Sequence, residues 1–297
     1  MSMEGLVCKN VDKNYKKTEV LKGLNLVLEK GKIYGLIGRN GAGKTTLLSL
    51  MSGQNPTTSG EITLDGTAVW ENQEVLDKIC FSREINAVVN AGIGGYIGTL
   101  RVKDYLKTAS AYLPNWDQDY AEELLKIFEL NKKKRLNKLS KGMLSMVTIT
   151  VALASKAEFT FMDEPVAGVD VVMREEFYRI LLEEFTESGR TFVISTHIIE
   201  EAADVFEEVI MLNSGKILLK ENTQDLLDRA RHISGVAEAV EKVMEGKETY
   251  HPEKLGRSKG VTVLLKEGET LEGNGEISVQ PMSLQQVFVA MCGKEVS

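Results

Sequence analysis

The 297-residue sequence has few cysteines and no long apolar run, and each scarcity excludes a class of protein. Its three cysteines, Cys8, Cys80 and Cys292, are far apart and odd in number. That spacing suits neither a disulfide framework nor a zinc site, and it indicates a reducing cytosol. No stretch approaches the roughly 18 apolar residues of a membrane-spanning helix, and residues 1–5 lack the layout of a signal peptide. Any role at a membrane is therefore expected to come through a partner.

The chain also lacks an excess of positive charge, since its 36 lysines and arginines are outnumbered by 43 aspartates and glutamates and the formal net charge is −7. Nucleic-acid binding requires a basic surface, so we predict no nucleic-acid partner. The basic run at 132–135 is short, and we interpret it as a solvated loop or helix end. With 43% hydrophobic and 27% charged residues, the composition is that of an ordinary globular protein. The length allows one large domain with an appendage or two modest domains.

Alternating strand and helix patterns predict an α/β fold. Residues 32–37 are an apolar run before a glycine-rich turn, and 44–52 continue as a helix. Two further apolar runs, 159–162 and 191–195, predict buried strands. The helical pattern between them extends from Val171 to Ser188. Strand, helix and strand in alternation indicate a parallel sheet with helices on its faces.

The region 100–135 departs from this alternation. Leu124, Leu125, Phe128 and Leu130 form the apolar face of an amphipathic helix, and no strand pattern interrupts them. This predicts a helical insertion within the α/β domain.

The pattern of the sequence changes again after about residue 222. A helix-like segment at 224–232 precedes two short strand candidates, 261–265 and 276–280. We therefore divide the chain into a main domain at 1–222 and a small α+β tail at 223–297.

Residues 38–45 match the pattern G-x-x-x-x-G-K-[ST] between a predicted strand and a predicted helix. Glycines let backbone N–H groups turn toward an anion, and the helix start adds the favourable end of its dipole. Lys44 is predicted to reach the β- and γ-phosphates, and the Thr45 hydroxyl to hold Mg²⁺. The predicted nucleotide-binding residues of this loop are Gly38, Arg39, Asn40, Gly41, Ala42, Gly43, Lys44, Thr45 and Thr46. The loop alone leaves kinases, GTPases and ATPases open.

A second candidate for nucleotide chemistry is the apolar run at 159–162, which ends in two carboxylates. Asp163 is placed to join the Mg²⁺ shell, and Glu164 to polarise the attacking water.

The order of motifs over residues 4–220 resembles the nucleotide-binding domain of the ATP-binding cassette (ABC) family. The run at 139–143 resembles the family's LSGGQ signature motif, 24 residues before Asp163. The resemblance implies that this motif acts on the nucleotide of a second subunit. Its residues are Leu139, Ser140, Lys141, Gly142 and Met143.

Three further residues match family positions. Asp170 lies in a run that resembles the loop after the catalytic glutamate, which contacts the other subunit. His197 follows an apolar strand and resembles the switch histidine. Tyr15, expected before the first β element of the cassette, resembles the aromatic residue that stacks on adenine.

The sequence departs from the family pattern in two places. Lys141 and Met143 replace a glycine and the glutamine of the signature, a variant similar to single-cassette bacterial exporter ATPases. The family's glutamine after the first sheet corresponds best to Glu84, whose carboxylate could still ligate Mg²⁺. The glycine-rich stretch that follows, 88–100, resembles the groove in which a permease docks.

The resemblance implies a P-loop NTPase (RecA-like) core with an antiparallel β subdomain, and a helical subdomain at about 85–158. It implies an ATP- and Mg²⁺-dependent ATPase of an ABC transporter, of exporter type, with catalytic residues Glu164, His197 and Glu84. The expected partners are a second ABC subunit, identical or paralogous, and an integral membrane permease that docks near Val88–Leu100. The expected location is the inner face of the cell membrane.

The alternative is a soluble ABC ATPase of translation or DNA maintenance. A translation factor would normally carry two cassettes, whereas this chain has one phosphate loop. A DNA-maintenance ATPase would insert long heptads, but only 94 residues separate Lys44 from Leu139 and no heptads run through them. The sequence does not identify the cargo.

Overall fold

The computed structural model describes residues 5–85, 97–266 and 268–293. Their strands are β1 (Leu6–Tyr15), β2 (Thr18–Leu28), β3 (Ile33–Gly38), β4 (Ser59–Leu64), β5 (Thr67–Ala68), β6 (Ile79–Ser82), β7 (Phe159–Asp163), β8 (Thr191–Thr196), β9 (Glu208–Asn213), β10 (Lys216–Asn222), β11 (Ala230–Val236), β12 (Thr249–Leu255), β13 (Ser258–Leu264) and β14 (Ile277–Pro281). Their α-helices are α1 (Lys44–Met51), α2 (Gln73–Leu76), α3 (Val102–Ser110), α4 (Gln118–Ile127), α5 (Lys141–Ala154), α6 (Val171–Ser188), α7 (Ile199–Ala202), α8 (Thr223–Arg229), α9 (Ala237–Val243) and α10 (Leu284–Cys292).

The central sheet has the order β10-β9-β3-β8-β7-β6. Its strands from β9 to β6 run parallel, and β10 joins the edge antiparallel to β9. Every residue of β3 and β8 is buried, as expected for parallel strands with both faces covered. In β3 the side chains alternate between two cores: Ile33 and Ile37 join one, and Tyr34 and Leu36 join the other. The predicted parallel α/β core is confirmed.

An antiparallel sheet of order β2-β1-β4-β5 lies beside the central sheet and shares its second core. Strand β1 pairs with β2 on one side and with β4 on the other. This is the antiparallel subdomain that the resemblance implies.

The helical insertion is confirmed by α3, α4 and α5. The four residues of the predicted apolar face, Leu124, Leu125, Phe128 and Leu130, are all buried in the larger core. The basic run at 132–135 is exposed and lies outside any helix or strand, as predicted.

Farther along the chain, α6 ends where Gly189 adopts a left-handed φ of 62°, which lets this residue cap the helix without a Cβ penalty.

A third sheet, of order β12-β13-β11-β14, forms the C-terminal region. The two predicted strands of this region correspond to β13 and β14. The predicted helix at 224–232 is partly wrong, because α8 ends at Arg229 and 230–236 form β11. Strand β11 pairs with β13 on one side and β14 on the other, so sheet pairing overrides the local helix pattern.

The last helix, α10, leaves this third sheet and packs on the main domain. Leu284 and Val287 belong to the larger core, together with Ala202 of α7 and Phe206. Ser283 and Gln286 form a capping box at its start. The C-terminal region therefore completes the core of the first region, and the domain boundary at residue 222 remains a prediction.

The cysteines are free and buried among the described residues. Burial raises the pKa of the Cys8 thiol to about 12 and that of Cys80 to about 11, which keeps both groups as thiols. Within the described ranges, no helix combines the length and apolar character needed to cross a bilayer.

We expect Leu284→Ala to lower the free energy of unfolding by roughly 2–5 kcal/mol, because Leu284 is only 1% exposed and its loss leaves a cavity in the larger core. Val289 of the same helix is 50% exposed, so Val289→Ala is expected to change the free energy by less than about 0.5 kcal/mol. Urea unfolding measures both. Equal stability of the two variants would contradict the packing of α10 on the main core.

Candidate active site

The phosphate loop begins where β3 ends and leads directly into α1. Gly41 and Gly43 adopt left-handed φ angles of 82° and 110°, which favour glycine. A methyl group added at Gly38 would lie 2.5 Å from the carbonyl oxygen of Leu212 on the adjacent β9. The glycines are therefore required by the turn itself and by its close approach to the neighbouring strand.

Lys44 is buried at the first position of α1, with its ammonium group inside the loop. Its Nζ donates a hydrogen bond to the carbonyl oxygen of Gly38 at 2.7 Å and lies 3.5 Å from Glu164 Oε1. A buried cation requires polar partners. These two oxygens satisfy Lys44, and phosphate oxygens could take over the same role.

Three side chains meet at the carboxyl ends of β7 and β8. Thr45 Oγ1 donates to Asp163 Oδ2 at 2.6 Å, and Ser195 Oγ donates to Asp163 Oδ1 at 2.5 Å. The backbone N–H of Glu164 in turn donates to Ser195 Oγ at 3.0 Å. Asp163 is thus positioned by hydrogen bonds from α1 and β8, and Glu164 by a hydrogen bond to β8.

A hydroxyl and a carboxylate oxygen in contact fit the preference of Mg²⁺ for hard oxygen ligands. Magnesium in nucleotide sites is usually bound through one or two carboxylates together with substrate phosphates. Thr45 and Asp163 could supply this partial shell at the edge of the phosphate loop. The structure therefore brings together two of the three residues predicted for the metal, and Glu84 lies apart from them.

Ser195 was not predicted from the sequence. It aligns with Asp163 in the parallel register of β7 and β8. Both strands were predicted, so their common direction could have placed the Ser195 hydroxyl beside the carboxylate.

Glu164 lies between Lys44 and His197. Its Oε2 is 2.6 Å from His197 Nδ1, and its Oε1 faces Lys44. Glu164 has a left-handed φ of 50°, uncommon for a residue other than glycine and often found where function constrains the backbone. Lys44, Glu164 and His197 lie in the segments that follow β3, β7 and β8, and one carboxylate therefore connects the three segments.

A cavity of about 380 Å³ opens at this point. It is lined by Val20, Glu164 and seven residues of the phosphate loop, namely Arg39, Asn40, Gly41, Gly43, Lys44, Thr45 and Thr46. Its walls combine backbone N–H groups, a lysine and a candidate base, and these are the groups that a nucleoside triphosphate site requires.

Two predicted residues lie elsewhere. The expectation that Tyr15 precedes the first strand is wrong, because Tyr15 is the last residue of β1. The hairpin explains the difference: Tyr15 pairs with Thr18 across a turn in which Lys16 is left-handed, so β1 continues to the turn. Tyr15 is 44% exposed and does not line the cavity. The Glu84 carboxylate also lies outside the cavity lining, with its Oε1 3.4 Å from Lys141 Nζ.

The signature residues form the start of α5. Ser140 is the N-cap and accepts a hydrogen bond from the N–H of Met143 at 3.2 Å. Gly142 packs closely on the loop after Glu164, since a methyl group there would lie 2.9 Å from the carbonyl oxygen of Gly168. Asp170 caps α6 in the same way as Ser140 caps α5, by accepting from Met173 N–H at 3.1 Å. No residue of 139–143, all of which the structure describes, lines the cavity.

A glycine loop before a helix, with a buried lysine, a neighbouring glutamate and a threonine–aspartate pair, is typical of a P-loop nucleotide-binding site. Comparison with known proteins identifies the family of the chain. Residues 21–167 match the family model described as "ABC transporter". The chain is 30% identical over 234 residues to the bacitracin transport ATP-binding protein BcrA of Enterococcus faecalis, covering 78% of this chain and 74% of that protein. The chain therefore belongs to the ABC transporter ATP-binding proteins.

Other relatives and solved structures agree with this assignment. The lantibiotic transport ATP-binding protein SrtF of Streptococcus pyogenes is 29% identical over 75% of this chain and 96% of its own. An ATP-binding cassette solved as a dimer in a post-hydrolysis state with ADP and Pi has a TM-score of 0.63 at 25% identity, over 73% of this chain and 98% of that one. An ATP-binding subunit of an ABC transporter superposes with a TM-score of 0.65 at 22% identity, over 75% and 92% of the two chains, and supports the fold. The protein is an ATPase of this family.

We expect Ser195→Ala to lower kcat for ATP hydrolysis by about 10- to 100-fold, because Asp163 and Glu164 each lose a hydrogen bond that positions them. ATP affinity should fall less, since Ser195 does not line the cavity. Ser110→Ala, which removes a hydroxyl bonded only within α3, is the matched control. Steady-state kinetics with binding titration measures both quantities, and an unchanged kcat in Ser195→Ala would refute this positioning role.

Proposed function

We propose that the chain hydrolyses ATP to energise an ABC exporter whose membrane-spanning permease is a separate polypeptide. The observation that carries the proposal is the Glu164 carboxylate held between Lys44 and His197 at the mouth of the phosphate loop. Export is supported by the relatives named for bacitracin and lantibiotic transport, and by the signature variant with Lys141 and Met143. The cellular location that follows is the inner face of the cell membrane, through the permease.

Catalysis in this proposal is positioning and charge stabilisation. The phosphate loop binds the triphosphate through its backbone N–H groups, and Lys44 turns from Glu164 to the β- and γ-phosphates. Glu164 then accepts a proton from the attacking water, and His197 orients Glu164 and the γ-phosphate end. Thr45 and Asp163 would hold Mg²⁺, which would neutralise the charge that develops on the phosphates. Glu84 is proposed to join this shell, and Tyr15 to stack on adenine.

The proposal includes a second subunit because none of the signature residues lines the cavity of its own chain. Ser140 and Gly142 begin a 14-residue helix, and the N–H groups at such an end attract phosphate. In a head-to-tail dimer they would contact the nucleotide of the other subunit, with Asp170 at the contact between subunits. ATP binding would then close the dimer and hydrolysis would open it, a two-state switch biased by ligand. That motion would drive a permease docked near 88–100, most of which lies outside the described residues.

The alternative function is a soluble ABC ATPase that acts on ribosomes or DNA. The single phosphate loop, the absence of heptads between Lys44 and Leu139 and the acidic net charge of −7 favour the transporter. Recovery of a multi-span membrane protein with the chain from detergent-solubilised membranes distinguishes the two functions.

A mixing experiment tests the dimer. Lys44→Ala disables the phosphate loop of its own chain, and Ser140→Arg disables the signature that its chain offers to the partner. In a mixed dimer both changes fall in one composite site and the other site is intact. Two inactive preparations mixed in equal amounts should therefore regain about a quarter of the wild-type ATPase rate, since half of the dimers are mixed and each has one of two equivalent sites.

The retained nucleotide gives a second readout, because each mixed dimer should hold one ATP even where turnover requires both sites. Native mass spectrometry counts mixed dimers and bound ATP together. Mixed dimers that form yet neither bind ATP nor hydrolyse it would refute the arrangement in which Ser140 serves the partner.

A further inference from the structure

Lys141 contacts two segments that border the active site. Its Nζ lies 3.4 Å from Glu84 Oε1, in the segment that follows β6. Its stem crosses Gly168 in the loop after Glu164, where an added methyl group would lie 3.0 Å from Lys141 Cδ. Two hydrogen bonds farther along α5 link this helix to the end of β6 and to the loop after Glu164, since Ser82 Oγ donates to the carbonyl oxygen of Thr148 and Ser145 Oγ to that of Ala167. Lys141 therefore adds an ion pair at the place where α5 already packs against the end of β6 and the loop after Glu164.

The charge of Lys141 is poorly placed for the helix that carries it. It is the first residue of α5, where the helix dipole is positive, and the first turn contains no acidic residue. Glu84 supplies the missing negative charge from outside the helix. Both side chains are more than half exposed, at 55% and 63%, and such ion pairs contribute little to stability. The pair can therefore be exchanged easily for a stronger anion.

We propose that Lys141 exchanges Glu84 for the terminal phosphate of the ATP held by the partner subunit when the dimer closes. The inference rests on the proposed dimer, in which the start of α5 meets that phosphate. A phosphate carries more charge than a carboxylate, and closure removes water from the contact, so the exchange favours Lys141 on the nucleotide. Lys141 is then a positioning residue in the composite site, at the place where the family's signature has glycine.

The exchange has a consequence for Glu84. Once Lys141 has turned to phosphate, the Glu84 carboxylate is free to approach the metal shell that Thr45 and Asp163 begin. Two charge pairs replace one: lysine with phosphate, and glutamate with Mg²⁺. Binding of nucleotide by one subunit would thereby move the segment after β6 in the other, which leads toward the proposed docking region of the permease.

The test measures ATP-dependent dimerisation in a Glu164→Gln background, where hydrolysis does not consume the ligand. Lys141→Gln removes the charge but keeps a long stem over Gly168. Because one contact is lost at each of two sites, the dimer Kd measured by analytical ultracentrifugation with ATP and Mg²⁺ should rise about 100-fold, roughly tenfold per site. Lys141→Arg should retain dimerisation. The matched control is Lys138→Gln, which removes an exposed charge three residues earlier and should leave the Kd unchanged.

A charge swap separates this role from a structural one. Glu84→Lys combined with Lys141→Glu keeps an ion pair within the chain but presents a carboxylate to the phosphate, so the double variant should remain monomeric with ATP. Its ATP affinity as a monomer reports that it is folded. Restored dimerisation in the swap, or an unchanged Kd in Lys141→Gln, would overturn the inference. If the Glu164→Gln parent itself does not dimerise with ATP, the proposed dimer fails and the exchange fails with it, an outcome distinct from a defect confined to Lys141.

Discussion

The site depends on one carboxylate that contacts both a lysine and a histidine. Glu164 faces the Lys44 ammonium with one oxygen and the His197 imidazole with the other. This contact exists because β3, β8 and β7 are adjacent and parallel, so the residues that follow them emerge at the same edge of the sheet. The carboxylate also satisfies the buried lysine. In the proposed mechanism, nucleotide binding must therefore replace the contact between Lys44 and Glu164 before Glu164 acts on water.

The packing of the rest of the molecule fixes the sheet edge at which Glu164 contacts Lys44 and His197. One core packs β3 against α1 and the antiparallel sheet, and the other packs it against the helical insertion and α10. Helix α10 also contacts α7, which follows His197 closely in the chain, so the C-terminal region supports the same part of the site. The loop after Glu164 is in turn packed by Gly142 and Lys141 of α5. Each catalytic element thus has a neighbour outside the phosphate loop that restrains it.

Much of this arrangement could be predicted from the sequence, because β3, β7, β8 and α6 carry long and consistent patterns. The phosphate-loop glycines and the two carboxylates at the end of β7 follow from local rules. The structure brings Glu164 and the phosphate loop to one cavity, and it brings Asp163 into contact with Thr45. Ser195 was missed because its role depends on register between two strands. Strand β11 was missed because its pairing partners lie 22 or more residues away in the chain and outweigh a local helix pattern. The contact between Glu84 and Lys141 joins two segments that no local pattern connects.

The most direct test of this account is a crystal structure of the wild-type chain with Mg²⁺ and a non-hydrolysable ATP analogue. The account predicts that Lys44 Nζ leaves Glu164 and binds the β- and γ-phosphates at about 3 Å. Glu164 should then face the γ-phosphate while keeping its contact with His197. A nucleotide bound away from the phosphate loop, or a Lys44 that still faces Glu164 beside a bound triphosphate, would contradict the central role of this shared carboxylate.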